Sequence, residues 1–241
     1  MKQRVEIKAL GKENFKEQRS IGILLYFLYT SVIGCAVGIV ATIFVIPFMG
    51  AFTNFATNES LEALFAYSSA MSFYSFLITI ASLVIVAALQ VGLHGSFLRI
   101  FRKEKTHVED LFANFKTRFS RYLGGMLWMY LFTFLWSLLF AIPGIIKSYA
   151  YRMTSFILAD SPEVKAKDAI KISMRMTKGY KGKLFVLDLS FLGWFLLSGL
   201  TCGILSIVYV MPYYTSTLAG YYEELKEQAL TSGAITAEEL A

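Results

Sequence analysis

Four side chains able to carry charge or move protons interrupt otherwise apolar stretches: His94, Lys147, Arg152 and Asp188. Ionisable groups in such surroundings are costly, so they mark either a site or a structural pair. Asp188 lies five residues past Lys183, Arg152 eight before Asp160, and His94 eight before Arg102. At ~1.5 Å per helical residue these are depths of roughly 8 to 12 Å. The three can therefore meet at one level, with Lys147 deeper and close to Pro143. Two readings are open. In one, Arg152 and Lys147 receive an anionic group in a polar cavity and Asp188 is their partner. In the other, Asp188 and Arg152 lock two helical hairpins together while Lys147 snorkels.

Other chemistry has no residues to carry it. There is no phosphate-cradling GxxxxGK[ST], no HExxH, no GxSxG and no paired-cysteine metal spacing. His94 and His107 are the only histidines, too few for a histidine-built metal site. No catalytic residue, cofactor or metal is assigned, and the chain reads as non-enzymatic. Cys35 and Cys202 fall in apolar runs and are expected as free, packed thiols. A second group of charges lies along one helix. Lys167, Lys171, Arg175 and Lys178 recur at helical spacing, opposite Ala166, Ala169, Ile170 and Met174. Such a face attracts anionic head groups; it equally serves to cap a bundle and set its topology. Ser161 is the expected N-cap of this helix, Pro162 its first residue and Gly179 its stop. A similar segment carries capping-box spacing from Thr106 to Glu109 and the stripe Val108, Leu111, Phe112, Phe115, Phe119.

The elements that must position these residues are membrane helices. Of 241 residues, 56% are hydrophobic and 17% charged, against about 45–50% and roughly 25% in soluble domains. That excludes disordered, collagen-like and disulfide-stapled chains. Of the 23 Lys and Arg, 20 fall in residues 1–19, 99–121 and 160–183, which carry net charges of +3, +4 and +4; the remainder is −5, against an overall +6. A basic soluble chain would suggest nucleic acid. Here the basic blocks flank apolar runs, so the positive-inside rule applies and no nucleic-acid partner is assigned. The blocks and both termini are placed in the cytoplasm, and 48–70, free of Lys and Arg, outside. Runs 20–47 and 70–98 suffice for one crossing each. Run 122–159 begins and ends at basic blocks, and as one helix it would be roughly 57 Å long, so it must double back; 184–222 follows the same logic. The expected fold is all-α and polytopic, with six transmembrane helices as three hairpins and cytoplasmic amphipathic helices. The last hairpin should turn at 198–203. The middle one should turn near Trp136–Ser137, with Pro143 then kinking the return, or at Ile142–Gly144. Gly34/Gly38 and Gly199/Gly203 have small-xxx-small spacing, suited to packing within the bundle or to dimerisation. Tyr122, Tyr180, Tyr213, Tyr214, Tyr221 and Tyr222 fit an aromatic belt.

The pattern repeats. Asn14-Phe15-Lys16, Asn114-Phe115-Lys116 and Gly179-Tyr180-Lys181 each precede a hairpin, and each hairpin later carries Ile46-Pro47, Ile142-Pro143 or Met211-Pro212. This divides a single integral-membrane domain, 1–241, into parallel units 1–105 (with an extra external loop), 106–160 and 161–228, before a tail, 229–241, expected to be flexible. Chance recurrence of common interface residues would give the same pattern.

The stretch 142–197 contains Ile142-Pro143-Gly144 with Lys147, Ala159-Asp160-Ser161-Pro162-Glu163, Ala169-Ile170, and Leu187-Asp188-Leu189-Ser190 through Gly193-Trp194; Pro212-Tyr213 and Tyr221–Leu225 follow. On these residues the chain resembles a family of bacterial multipass membrane proteins catalogued only as a domain of unknown function, most closely over 142–226. It is also distantly similar to the membrane region attached to some glycerophosphodiesterases, which lacks their catalytic barrel. The resemblance implies an integral protein of the bacterial cell membrane and carries over no catalytic residue. The expected function is accessory or stress-related, binding membrane lipids through anionic head groups or a membrane-protein partner. The alternatives are a small exporter of amphiphilic or anionic solutes and a membrane-embedded lipid-modifying enzyme.

Overall fold

The computed structural model describes residues 4–58, 60–112 and 119–240. Its helices are α1 (Arg4–Glu17), α2 (Arg19–Asn58), α3 (Leu61–Phe101), α4 (Phe119–Leu139), α5 (Ala141–Tyr151), α6 (Thr154–Asp160), α7 (Ala166–Met176), α8 (Lys181–Leu200) and α9 (Met211–Thr231), with 3-10 turns at Val108–Leu111 and Glu238–Leu240. No strand occurs among the described residues, so the all-α expectation holds. Among the described residues, four helices are long and apolar enough to cross a membrane: the Arg19–Thr42 part of α2, then α3, α4 and α8.

The chain forms two compact units, residues 30–86 and the rest. In the first, the expected outer loop is replaced by helix on both sides of Ser60. The Ser60 hydroxyl accepts the Ala63 N–H at 3.1 Å and caps α3, so pairing resumes at once. The two helices run 40 and 41 residues, roughly 60 Å each. Ser68, Ser72, Ser75, Thr79 and Ser82 of α3 donate to carbonyls three or four residues back at 2.8–3.0 Å. Each hydroxyl is thereby satisfied within its own helix, the condition for facing an apolar phase. Phe73 and Phe76 stand exposed on the same helix.

In the second unit, α4 and α5 form a hairpin closed by Phe140 alone, in extended conformation. The turn falls between the two expected positions. Pro143 lies in the first turn of α5, where no N–H is required, so it starts the helix and does not kink it. The closeness comes from Gly144: a Cβ there would lie 2.2 Å from Ser137 Oγ and 2.7 Å from Ser137 Cα. The return leg breaks at Arg152–Met153, and α6 beyond it is buried from Thr154 to Leu158. The last hairpin turns at Thr201–Gly203 as expected, with Cys202 and Gly203 at φ 50° and 82°. A π-helical turn, Ser206–Val210, then leads into α9. Pro212 accounts for it, because its ring crowds the carbonyl four residues back and it has no N–H to give.

Several local expectations are corrected. Helix α7 starts at Ala166, after a turn, and not at Pro162, because Arg121 takes the carbonyls of Ser161 at 2.6 Å and Val164 at 2.5 Å. Gly179, at φ 84°, lies in the turn that follows α7. The cap at the 3-10 turn sits one residue later than Thr106: the Asp110 carboxylate accepts the His107 N–H at 2.9 Å. Asn114, Phe115 and Lys116 lie outside the described residues. Cys35 and Cys202 are free but exposed, not packed. Nothing lies within 4 Å of a Cβ built at Gly34, Gly38, Gly199 or Gly203. Close approach within the chain falls to other glycines, including Gly11 of α1, whose Cβ would lie 3.1 Å from Thr217 Cα of α9. The segment after Thr231 does not trail away. Gly233, at φ 67°, reverses the chain, Ile235 is buried, and Glu239 pairs with Arg175 at 2.7 Å.

Gly144→Val should force α4 from α5 and cost about 1–3 kcal/mol, as overpacking does. Thermal unfolding in detergent should show a clearly lowered midpoint; an unchanged midpoint would contradict the hairpin contact.

Candidate functional site

The break after α5 puts Arg152 at the C-terminal end of that helix, facing Asp188 of α8. Its two terminal nitrogens donate to the two carboxylate oxygens at 2.7 and 3.0 Å, a bidentate pair. The Tyr149 hydroxyl donates to the same carboxylate at 2.7 Å and the Tyr214 hydroxyl at 2.6 Å. Tyr214 also contacts the guanidinium directly. The guanidinium lies over both rings, 5.2 Å from Tyr149 and 5.7 Å from Tyr214. Side chains from α5, α8 and α9, with Arg152 at the end of α5, thus close around one carboxylate. The break itself is held by α7: Ser173 Oγ donates to the Ala150 carbonyl at 2.8 Å and accepts the Met153 N–H at 3.2 Å.

The other two predicted members are not bonded to this pair. His94 Nδ1 is 2.6 Å from Ser155 Oγ, and its ring stacks on Phe156 at 4.4 Å. Lys147 Nζ lies 4.7 Å from the Trp136 ring centre and 6.0 Å from that of Tyr151. Of His94, Lys147, Arg152 and Asp188, direct bonding joins only the last two.

The basic face of α7 is also divided. Its opposite face is buried through Ala169, Ile170, Ile172, Ser173 and Met176. Lys167 Nζ sits 5.4 Å over the Trp128 ring. Lys171 pairs with Asp168 at 3.1 Å, both exposed. Arg175 is taken up by Glu239 and by the Ala234 carbonyl at 3.2 Å. Lys178 is exposed. Between α4, α5 and α7 lies a groove of about 430 Å³ reached by Lys147, Lys167 and Lys171.

One cluster was not foreseen. Asp160, its side chain 6% exposed, accepts from Arg102 at 2.6 Å and Lys226 at 2.5 Å. The Tyr222 hydroxyl donates to it at 2.9 Å, and Arg102 also holds Glu223 at 2.6 Å. Burial disfavours the Asp160 charge, but Arg102 and Lys226 outweigh it and hold the carboxyl below its ordinary 3.8. The cluster ties α6 to α9 and to the chain leaving α3. Its members lie 58 to 66 residues from Asp160 in sequence, so no spacing betrays it; only the Ala159–Glu163 stretch hinted that Asp160 mattered. Among the described residues, no three His, Cys, Asp or Glu side chains are grouped to hold a metal.

Comparison with known proteins gives a family and no activity. A family model described as "Protein of unknown function (DUF975)" matches residues 1–147 and 138–229. No curated protein and no solved structure matches the chain.

Asp188→Asn should leave Arg152 without a counter-ion and cost about 3–5 kcal/mol, and adding Arg152→Gln should recover part of it. Unfolding midpoints of the three variants in detergent check this; a stable Asp188→Asn protein would contradict it. Because the folded pKa of Asp160 is depressed, its contribution is present above pH 3.8 and lost as pH falls through the lower folded value. Asp160→Asn should start less stable and lose less between about pH 6 and about pH 3. Parallel acid profiles of the two proteins would contradict this.

Proposed function

We propose that this chain, which belongs to the DUF975 family of proteins of unknown function, is a non-enzymatic accessory protein of the bacterial cell membrane that binds anionic lipid along helix α7. Six crossings with both termini cytoplasmic are part of this reading. Four helices have the length and apolarity for it. Residues 141–159, though in two helices, together reach roughly 29 Å at ~1.5 Å per residue. The three basic blocks support a common cytoplasmic side.

The observation that carries the lipid reading is the way α7 is seated. Its apolar face is docked into the protein, and Lys167 and Lys178 are left exposed. Lys167 lies against Trp128, which is itself 39% exposed. A lysine beside an exposed indole is the pairing found where protein meets head groups. The Arg152–Asp188 set weighs against the exporter alternative, since a carboxylate accepting four hydrogen bonds from its neighbours is poorly placed to exchange partners during a transport cycle. Against the lipid-modifying enzyme, the His94 ring is engaged by Ser155 and Phe156, with no carboxylate bonded to it among the described residues.

Native mass spectrometry of the full chain, equilibrated with phosphatidylglycerol and phosphatidylcholine in mild detergent, tests this reading. Anionic lipid should be retained preferentially, less so at high salt, and less by the triple variant Lys167→Gln, Lys171→Gln, Lys178→Gln. Equal retention of both lipids would contradict it. Saturable solute flux in liposomes, abolished by Arg152→Gln in folded protein, would favour the exporter.

A further inference from the structure

We infer that the groove between α4, α5 and α7 is a discrete site for one anionic phospholipid, whose phosphate is held by Lys147 and Lys167. This rests on the lipid-binding reading above and sharpens it from a charged face to a stoichiometric site.

Four features carry the inference. The first is charge. The groove is lined by three lysines, Lys147, Lys167 and Lys171, and by no acidic residue. The neighbouring hollow on the other side of α7, which Lys171 also lines, mixes Lys165, Lys171 and Arg175 with Glu163, Asp168 and Glu239. The hollow beside α9 is lined by Glu223, Glu224 and Glu227 with one lysine. Among these three, uncompensated positive charge is particular to the α4–α5–α7 groove.

The second is the state of the lysines. Among the described residues neither Lys147 nor Lys167 has a carboxylate within 4.0 Å. Each ammonium instead stands over an indole, 4.7 Å from Trp136 and 5.4 Å from Trp128. An aromatic face steadies a cation without neutralising it, so all three N–H donors of each group remain available for phosphate oxygens. Lys171 has only an exposed pair with Asp168, which is weak and easily exchanged.

The third feature is the apolar wall. Apart from the lysines, the lining is aromatic and aliphatic, with Trp128, Phe132, Trp136 and Ile170 among it. A hydrated phosphate by itself gains little from such a wall, whereas an acyl chain does. The fourth is continuity. The groove's own helices carry on into exposed apolar residues at the hairpin tip, with Phe134 64% and Leu138 73% exposed. A volume of about 430 Å³ suits a phosphate with its glycerol; acyl chains would leave along that surface. The occupant is therefore an amphiphile with a negative head group.

The test uses Trp194→Phe protein in phosphatidylcholine nanodiscs. The two remaining tryptophans of the three in the chain, Trp128 and Trp136, both line the groove. Phosphatidylglycerol brominated on its acyl chains should quench their emission saturably, and brominated phosphatidylcholine should not at equal mole fraction. Lys147→Gln with Lys167→Gln should weaken the apparent affinity at least about tenfold, the loss of roughly 1.4 kcal/mol. Lys167→Gln alone should give an intermediate loss, and Lys105→Gln, an exposed lysine outside both the groove and the α7 face, almost none. Unfolding midpoints equal to the parent's establish that each variant is folded.

Three results overturn the proposal. Undiminished quenching in the folded Lys147/Lys167 variant would do so, and if Lys178→Gln then weakened anionic-lipid retention, the broader reading would survive. Displacement of the effect by millimolar inorganic phosphate in place of lipid would show an anion site only. Equal quenching by both brominated lipids would remove the proposal and the broader reading together.

Discussion

The Asp188 carboxylate lies on a helix whose other side chains are almost all apolar, and it accepts four hydrogen bonds from residues on α5, its C-terminal end and α9. A charge so placed must find its counter-ion and its donors inside the protein, since the surroundings supply neither. Much of the nearby architecture follows from that requirement. Helix α5 has to stop where Arg152 can turn toward α8, and the carbonyl and N–H freed by the stop are taken by Ser173 of α7. Helix α7 must therefore pack against the break. Tyr149 is three residues before Arg152 and shares its side of the chain, so one short segment delivers two of the ligands to the carboxylate.

The same rule governs other polar groups, the buried Thr154 hydroxyl being an exception among the described residues. Asp160 is satisfied by Arg102, Lys226 and Tyr222 where the helices meet. The serines of α3 bond back to their own helix, Asn14 donates to the Phe101 carbonyl at 2.8 Å, and Arg121 collects carbonyls of the turn before α7. Against this background the lysines of the α4–α5–α7 groove differ. Among the described residues Lys147 and Lys167 stand over indoles with no carboxylate beside them, and they lie next to exposed aromatic surface. In the proposed account, internal charge holds the helices together and outward charge meets the lipid.

How much of this was legible in the sequence depended on whether the signal was local. Helix type, the turn at Thr201–Gly203 and the meeting of Arg152 with Asp188 follow from apolar run length, from glycine and from depth along a helix axis. Depth says nothing about direction around the axis. Lys147 is five residues before Arg152, which turns it about 140° away on a helix of 3.6 residues per turn, and the structure accordingly puts it over Trp136. The Asp160 cluster joins segments far apart in the chain, so its partners left no spacing to read. The start of α7 looked settled by Ser161-Pro162, but Arg121, some forty residues earlier, claims the carbonyls that a helix beginning there would need. The glycines at small-xxx-small spacing show the converse: spacing permits close contact within a chain or between chains, and within this chain the neighbours are met by Gly144 and others like it.

The central claim is that the internal ion pair holds the fold while the lipid is bound elsewhere. It is tested most directly by anionic-lipid binding to the double variant Arg152→Gln, Asp188→Asn, in which the pair is removed without leaving either charge alone. The account predicts that the folded fraction of this protein, though less stable, binds phosphatidylglycerol as the parent does. Folded double variant that has lost the lipid would contradict it, and would move the binding site to the Asp188 cluster.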